Sequence, residues 1–350
     1  MTRSNDRDPK GSTAAERCVY DASSIVVLDM ITAVRKRPGM YLGDPHDGSG
    51  QHHMLWEAVG NVIDEHLAGH ARRLSVRIDG TTVTVDDDGR GIPPDALASI
   101  LTEMHGSGSR YGHHPHVHVG TSLRGVGIAA VSATSSELSV EVHHRGERYR
   151  IRLEEGRIVE PTTHLGGTRR QGTRLRFTPD PKVLSVVPFD HELIESRLWE
   201  LSCLNPALDV HLDERRLEGR SGADDLRRRG AEPMVAAKGA HEDVLVEVFL
   251  GWRDDSHPPD VRGFVSQYRA DEGAHVQGLW QAFADAHPGL SPRVARELHE
   301  RGLVAWIDVG LYEPRFESPT RSRLGSPEAR RAVRRVLGPA VANLVRALGG

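Results

Sequence analysis

The chain has 350 residues, 38% of them hydrophobic and 27% charged, and 45 basic against 49 acidic side chains leave a net charge of −4. That length carries two domains with cores of their own, and the near balance of charge excludes a dedicated nucleic-acid coat while leaving room for a local basic groove. No apolar run approaches the roughly 18 residues of a membrane helix, the start "MTRSNDRDPKGSTAAER" lacks a signal-peptide core, and Cys18 and Cys203 make no disulfide framework or zinc cluster, so a cytoplasmic protein without a membrane partner is expected.

In chain order, residues 1–19 are polar and read as a flexible arm. "SSIVVLDMITAVRKRPGMYLG" predicts an apolar-periodic helix stopped by Pro38 and Gly39, and residues 51–68 predict a second helix closed by Gly69. "RLSVRIDG" and "TTVTVDDD" alternate like two antiparallel strands turning at Asp79-Gly80. "PDALASILTEM" reads as helix, 105–122 as a long loop of Gly, Ser and His, and "GVGIAAVSA" as the opening of another helix. "LSVEVHHRGERYRIRLEEGRI" and "GTRLRFTPD" supply further strands. Residues 213–243 are polar and charged and read as a connecting segment. From Val244 a second unit follows, with strands "VLVEVFLGW", "VRGFVSQYR" and "GLVAWIDVGLY" and a final helix over about 327–348. The expected class is α+β, with helices on one face of a mixed, mostly antiparallel sheet.

Four stretches carry chemistry. Glu57, Asn61 and Asp64 stand at i, i+4 and i+7 on one helix face. A solvated face explains that spacing. So does a shared task in which Glu57 takes a proton from water while Asn61 holds a magnesium ion whose other ligands are phosphate oxygens. "VTVDDDGRGIP" ends an alternating strand in acids and glycines; DG is a hairpin signal, but a carboxylate beside bare backbone also suits an adenine amino group. "LRGVGIAAV" is a glycine-rich turn opening a helix, where backbone N–H groups suit phosphate oxygens, although a lone G-x-G is often just a turn. "GTRLRF" places Thr173 at a strand start.

Taken together, "RKRPGMYLG", "EAVGNVIDE", "DDGRGIP", "LRGVG" and "GT" resemble, in order and spacing, the ATPase region of bacterial DNA gyrase B and its topoisomerase IV relative, members of the GHKL superfamily. The resemblance runs from about Tyr20 to the last helix, and "RKRPGMYLG" is specific to the topoisomerase branch. It implies a dimerisation arm over 1–24, a GHKL (Bergerat) ATP-binding domain over 25–225 and a ribosomal-protein-like α+β transducer domain over 226–350. It implies ATP and Mg2+ as ligands, Glu57 as the base that activates water and Asn61, beside Asp64, as the metal ligand. Asp87 would accept the adenine amino group, helped by Thr173 through water, and Arg90 would pair with Glu65 at the pocket mouth. Ala58, Val85, Gly91, Ile92, Pro93 and Ile100 would line the pocket, while Leu123, Arg124, Gly125, Val126 and Gly127 would wrap the β- and γ-phosphates. Tyr20 and Ile25 would cross to close the site of a second copy in a nucleotide-dependent homodimer, and Arg321 would sense the γ-phosphate.

The sequence departs from that family at several points. Gly60 stands where the family has Asp, and "TSLRGVG" replaces G-G-L-H-G-V-G, so Thr121 and Ser122 take glycine positions and Arg124 a histidine position. Ser109 or Arg110 replaces a lid lysine. Pro319-Thr320-Arg321 stands for Gln-Thr-Lys, where Pro319 has no N–H and Arg321 is bulkier and forked. Nothing matches the acidic DNA-cleavage motif of gyrase B, so no strand cleavage is expected from this chain alone and a stand-alone paralogue is expected. His116 and His118 alternate as metal ligands could, or belong to a polar lid. An ATP-hydrolysing topoisomerase module, with DNA and a gyrase-A-like or cleavage-domain protein as partners, is the leading expectation. An ATP-dependent clamp or regulator outside topoisomerases, and an ATP-using biosynthetic enzyme, are the alternatives.

Overall fold

The computed structural model describes residues 28–103, 127–254, 256–317 and 322–348. Its first part runs through α1 (Met30–Lys36), α2 (Gly39–Leu42), α3 (Ser49–Leu67), β1 (Arg73–Asp79), β2 (Thr82–Asp87), α4 (Leu97–Thr102), α5 (Gly127–Ala133), β3 (Ser135–His144), β4 (Glu147–Glu154), β5 (Arg157–Gly167), β6 (Gly172–Pro179), α6 (His191–Leu204), β7 (Asp209–Leu212) and β8 (Arg215–Leu217). The eight strands form one sheet in the order β5-β4-β3-β6-β2-β1-β7-β8, antiparallel except where β1 meets β7. Alternation decides its faces: Leu74, Val76, Val83, Val85, Leu138, Val140, Leu175 and Phe177 point inward against Leu55, Val59, Val62 and Ile63 of α3. Arg77, Thr84, Arg176 and Ser139 make one row on the opposite face. This is the α+β sandwich expected from the sequence.

The basic motif that ends α1 has a structural task. Arg35 donates from Nη1 to the carbonyl of Ala133 at 2.9 Å, closing the C-terminus of α5, and from Nη2 to Asp180 at 2.6 Å. Asp180 is 1% exposed, so this ion pair fixes α1 against α5 and the end of β6 in low-dielectric surroundings.

The second part comprises α7 (Gly222–Arg228), β9 (Glu232–His241), β10 (Val244–Trp252), β11 (Asp260–Val265), β12 (Tyr268–Arg269), β13 (Glu272–Gly273), α8 (Ala274–Ala286), α9 (Pro292–Glu300), β14 (Leu303–Gly310), β15 (Arg323–Leu324) and α10 (Pro327–Leu348). Five strands form a sheet in the order β12-β11-β14-β10-β9, and β13 pairs with β15 apart from it. Val246, Val248, Leu250, Ile307 and Val309 face Leu279 and Phe283 of α8 and Val333, Leu337 and Val341 of α10. The other face is partly covered by α6 and α7 through Cys203, Leu226, Phe249, Phe264 and Trp306.

Two expectations are corrected here. Residues 213–243 are no mere connection: they hold β8, α7 and β9, whose anchors Leu217, Leu226 and Val235 are too far apart to show a period. In β9 the residues Ala236, Ala237 and Gly239 have weak strand preference, and pairing with β10 supplies the order. "VRGFVSQYR" is two strands, not one, because Ser266 and Gln267 adopt φ of 47° and 75° and reverse the chain without a glycine to announce it. The first helix stops before Pro38 as expected, α1 ending at Lys36, and a separate turn, α2, follows it.

Candidate nucleotide site

Helix α3 carries two kinds of face. Its apolar residues enter the core, while Glu57 is 6% exposed, Asp64 is half-buried and Asn61 is open to solvent. A buried carboxylate therefore stands one turn, about 6 Å along the axis, from an exposed amide. The start of α5 closes on that carboxylate: a Cβ placed on Gly127 would lie 1.7 Å from Glu57 Oε2, so any larger residue there displaces the carboxylate. Of the expected phosphate wrap, Gly127 is thus against the expected base. Leu123, Arg124, Gly125 and Val126 lie outside the described residues, as do Tyr20, Ile25, Arg321, Ser109, Arg110, Thr121, Ser122, Pro319, Thr320, His116 and His118.

The three aspartates at the end of β2 have three different surroundings. Asp86 points to the outer face, where Arg174 Nε donates at 2.7 Å and Arg170 stands at 3.2 Å. Asp88 accepts the backbone N–H groups of Arg72 and Arg73 at 2.7 and 2.8 Å and so fixes the start of β1. Asp87 points to the inner side. Burial pushes its carboxyl up to about 7, although the N–H groups of Gly89, at 2.7 Å, and Thr173 favour the charged form. Thr173 comes this close because a Cβ on the preceding Gly172 would lie 2.0 Å from the Asp87 carbonyl oxygen. The expected proximity of Asp87 and Thr173 is present, and Gly172 is the residue that permits it.

The loop after Asp87 is tied on both sides. Arg90 pairs with Glu65 through Nη2 at 2.7 Å and Nε at 3.2 Å, and its backbone N–H adds a third bond at 3.1 Å. Burial alone would raise the Glu65 carboxyl, but the Arg90 bonds outweigh it and hold the pKa below the ordinary value. His144 Nδ1 lies 3.1 and 3.2 Å from the carbonyls of Arg90 and Gly91, so it acts as the donor; nothing in the sequence pattern singled it out. Ile92 and Ile100 pack as half-buried side chains against the core that holds Ala58 and Val85, and Pro93 and Gly91 are also half-buried. The described residues thus bring a buried carboxylate, a second carboxylate of raised pKa, an exposed amide and a half-buried apolar wall to one side of the sheet.

That donor set fits a nucleotide. An acceptor in a low-dielectric wall suits an exocyclic amino group, and a single exposed amide oxygen suits Mg2+, which keeps waters and phosphate oxygens as its other ligands. Among the described residues no group of three or more His, Cys, Asp or Glu could hold a metal by itself, and no helix is long and apolar enough to cross a membrane.

Comparison with known proteins shows what the chain is similar to. Residues 46–183 match the family described as histidine kinase-, DNA gyrase B-, and HSP90-like ATPase. A likeness to gyrase B runs across about nine-tenths of this chain's length. The chain is 34% identical over 344 residues to the DNA gyrase B-subunit of Campylobacter jejuni, covering 89% of this chain and 44% of that protein. It is 32% identical over 347 residues to the type 2 topoisomerase B-subunit of Aquifex aeolicus, covering 90% and 43%. The chain spans about half the length of the curated relatives it matches. Its fold superposes on the ATPase domain of Thermus thermophilus gyrase B, solved with an aminocoumarin, with a TM-score of 0.71 and 26% identity over 91% of this chain and 90% of that one. The gyrase B-subunit of Myxococcus xanthus gives 0.73 and 25% over 91% and 96%.

Proposed function

We propose that this chain binds ATP with Mg2+ between α3, α4, α5 and the inner face of β2 and β6, hydrolyses it, and dimerises when nucleotide binds. The observation that carries this reading is the placement of Glu57: a buried carboxylate pressed against the first residue of α5, a turn away from Asn61 and on the same side of the sheet as Asp87. Buried there, Glu57 is positioned to take a proton from a water attacking the terminal phosphate. Asn61 would hold Mg2+, which would supply charge neutralisation to the phosphates. Asp87, kept straight by Gly89 and Thr173, accepts the adenine amino group, and the Glu65–Arg90 pair fixes the loop that covers it. Ile92, Pro93 and Ile100 give the purine an apolar wall. Tyr20, Ile25, Leu123 to Val126 and Arg321, which the resemblance also implies for this site, lie outside the described residues.

In the cell this reading makes the chain an ATP-driven module of type II topoisomerase function, working with DNA and a gyrase-A-like or cleavage-domain partner. The relatives' names and a likeness that runs across about nine-tenths of this chain support it over a clamp or biosynthetic enzyme. Titration calorimetry with a non-hydrolysable ATP analogue tests the binding half: Asp87→Asn should weaken binding at least about tenfold, a loss in the range of one charge-assisted hydrogen bond. Unchanged affinity in that variant would contradict the assignment.

A further inference from the structure

We infer that α6 is a transmission rod between the nucleotide site and the second sheet, and that the buried carboxylate of Glu200 is the positioning residue that engages it. The inference rests on the nucleotide reading above, and the two are separable by experiment.

Start at the rod's near end. Gln51 and His52 belong to the first turn of α3, the helix that carries Glu57. Gln51 donates from Nε2 to the carbonyl of Val187 at 2.7 Å and accepts the Val187 N–H at 3.2 Å. His52 Nε2 accepts the N–H of Asp190 at 3.1 Å, and Asp190 caps α6 by accepting from Leu193. Gln51 and His52 are 1% and 8% exposed, so these bonds exchange poorly with water and tie α3 to the N-terminus of α6.

At the far end, α6 grips the β11–β12 turn of the second sheet. Glu200 is fully buried and accepts from three guanidiniums: Arg197 of its own helix at 2.9 Å, Arg262 of β11 at 3.2 Å and Arg269 of β12 at 2.6 Å. Arg197 reaches on to the carbonyl of Gln267 at 2.8 Å, and Asn205 bonds the Gln267 side chain at 2.7 Å. Arg262 also meets the buried Asp225 of α7 at 3.0 Å. The grip continues past the turn, for Asp271 accepts from Arg269 and from the N–H of Gly263. At the very next residue β13 begins and pairs with β15.

The physics favours a registering role over a stabilising one. A buried ion cluster adds little net stability compared with an apolar filling of the same volume, but its bonds are directional and allow one placement. The neighbouring apolar contacts of Phe249, Phe264 and Trp306 tolerate sliding; the Glu200 bonds do not. A change at α3 is therefore passed to the β11–β12 turn as displacement of a rigid helix.

Amide exchange with and without a non-hydrolysable ATP analogue tests this in the full chain. The expected result is slower exchange on nucleotide both at residues 87–93 and at 263–271, with the second effect lost in Glu200→Met/Arg262→Met/Arg269→Met. That apolar triple variant keeps the interface filled, and Gln267→Gly, which keeps the turn's backbone, is the milder companion. Turnover should fall about tenfold or more in the triple variant and by less in Gln267→Gly, while the KM for ATP stays within about twofold in both. Protection at 87–93 without any at 263–271, or full turnover in the triple variant, would overturn the rod. Protection at neither would overturn the nucleotide reading and the rod with it.

Discussion

Three adjacent aspartates do three separate things, and Asp87 and Asp88 are tested by different readouts. Asp87 has a carboxyl raised from 3.8 to about 7 by burial. The folded chain therefore keeps a proton there that the unfolded chain has lost, and this residue takes stability away as pH rises from about 4 to 7. A purine amino group favours the ionised form, so nucleotide binding should release a proton and tighten as pH rises through about 7. Calorimetry in buffers of different ionisation heat measures that proton, and Asp87→Asn should abolish its release along with most of the affinity. Asp88 serves the fold instead: Asp88→Ala leaves the N–H groups of Arg72 and Arg73 without their acceptor and should cost about 1 kcal/mol in denaturant unfolding while binding hardly changes. Gly127 belongs to the same scale. Gly127→Ala puts a methyl on the Glu57 carboxylate, and overpacking of about 1–3 kcal/mol with loss of turnover is the expected outcome.

At the scale of elements, the sequence showed those whose side-chain period and local chemistry agree. The long period of α3, the alternation of β1 and β2 and the Asp79-Gly80 turn were all legible. So were the proximity of Asp87 to Thr173 and the Glu65–Arg90 pair, through the family motif. What stayed hidden depends on distant partners: β9 takes its order from β10, the β11–β12 turn reverses at Ser266 and Gln267 without glycine, and α6 went unread although it spans Ile194, Leu198 and Leu201 of the core. Arg35 shows the same limit. Its motif identified a family, but only the fold reveals the 1% exposed Asp180 and the α5 carbonyl that it joins. Arg35→Ala strands that buried carboxylate and should destabilise the chain by about 3 kcal/mol, whereas Arg35→Lys recovers part of it. Urea unfolding of the two variants separates these outcomes.

For the whole molecule, two sheets joined through α6 and α7 place a nucleotide-type site on one and a strand pair, β13–β15, at the margin of the other. The proposed function stands on Glu57 as the base of ATP hydrolysis in a chain that pairs with itself on binding nucleotide. The most direct measurement is ATP turnover against protein concentration for the native chain beside Glu57→Ala, with analogue binding followed in both. The account predicts turnover rising with the square of concentration in the native chain and lost in Glu57→Ala, whose binding is retained. Equal turnover in the two proteins would contradict it.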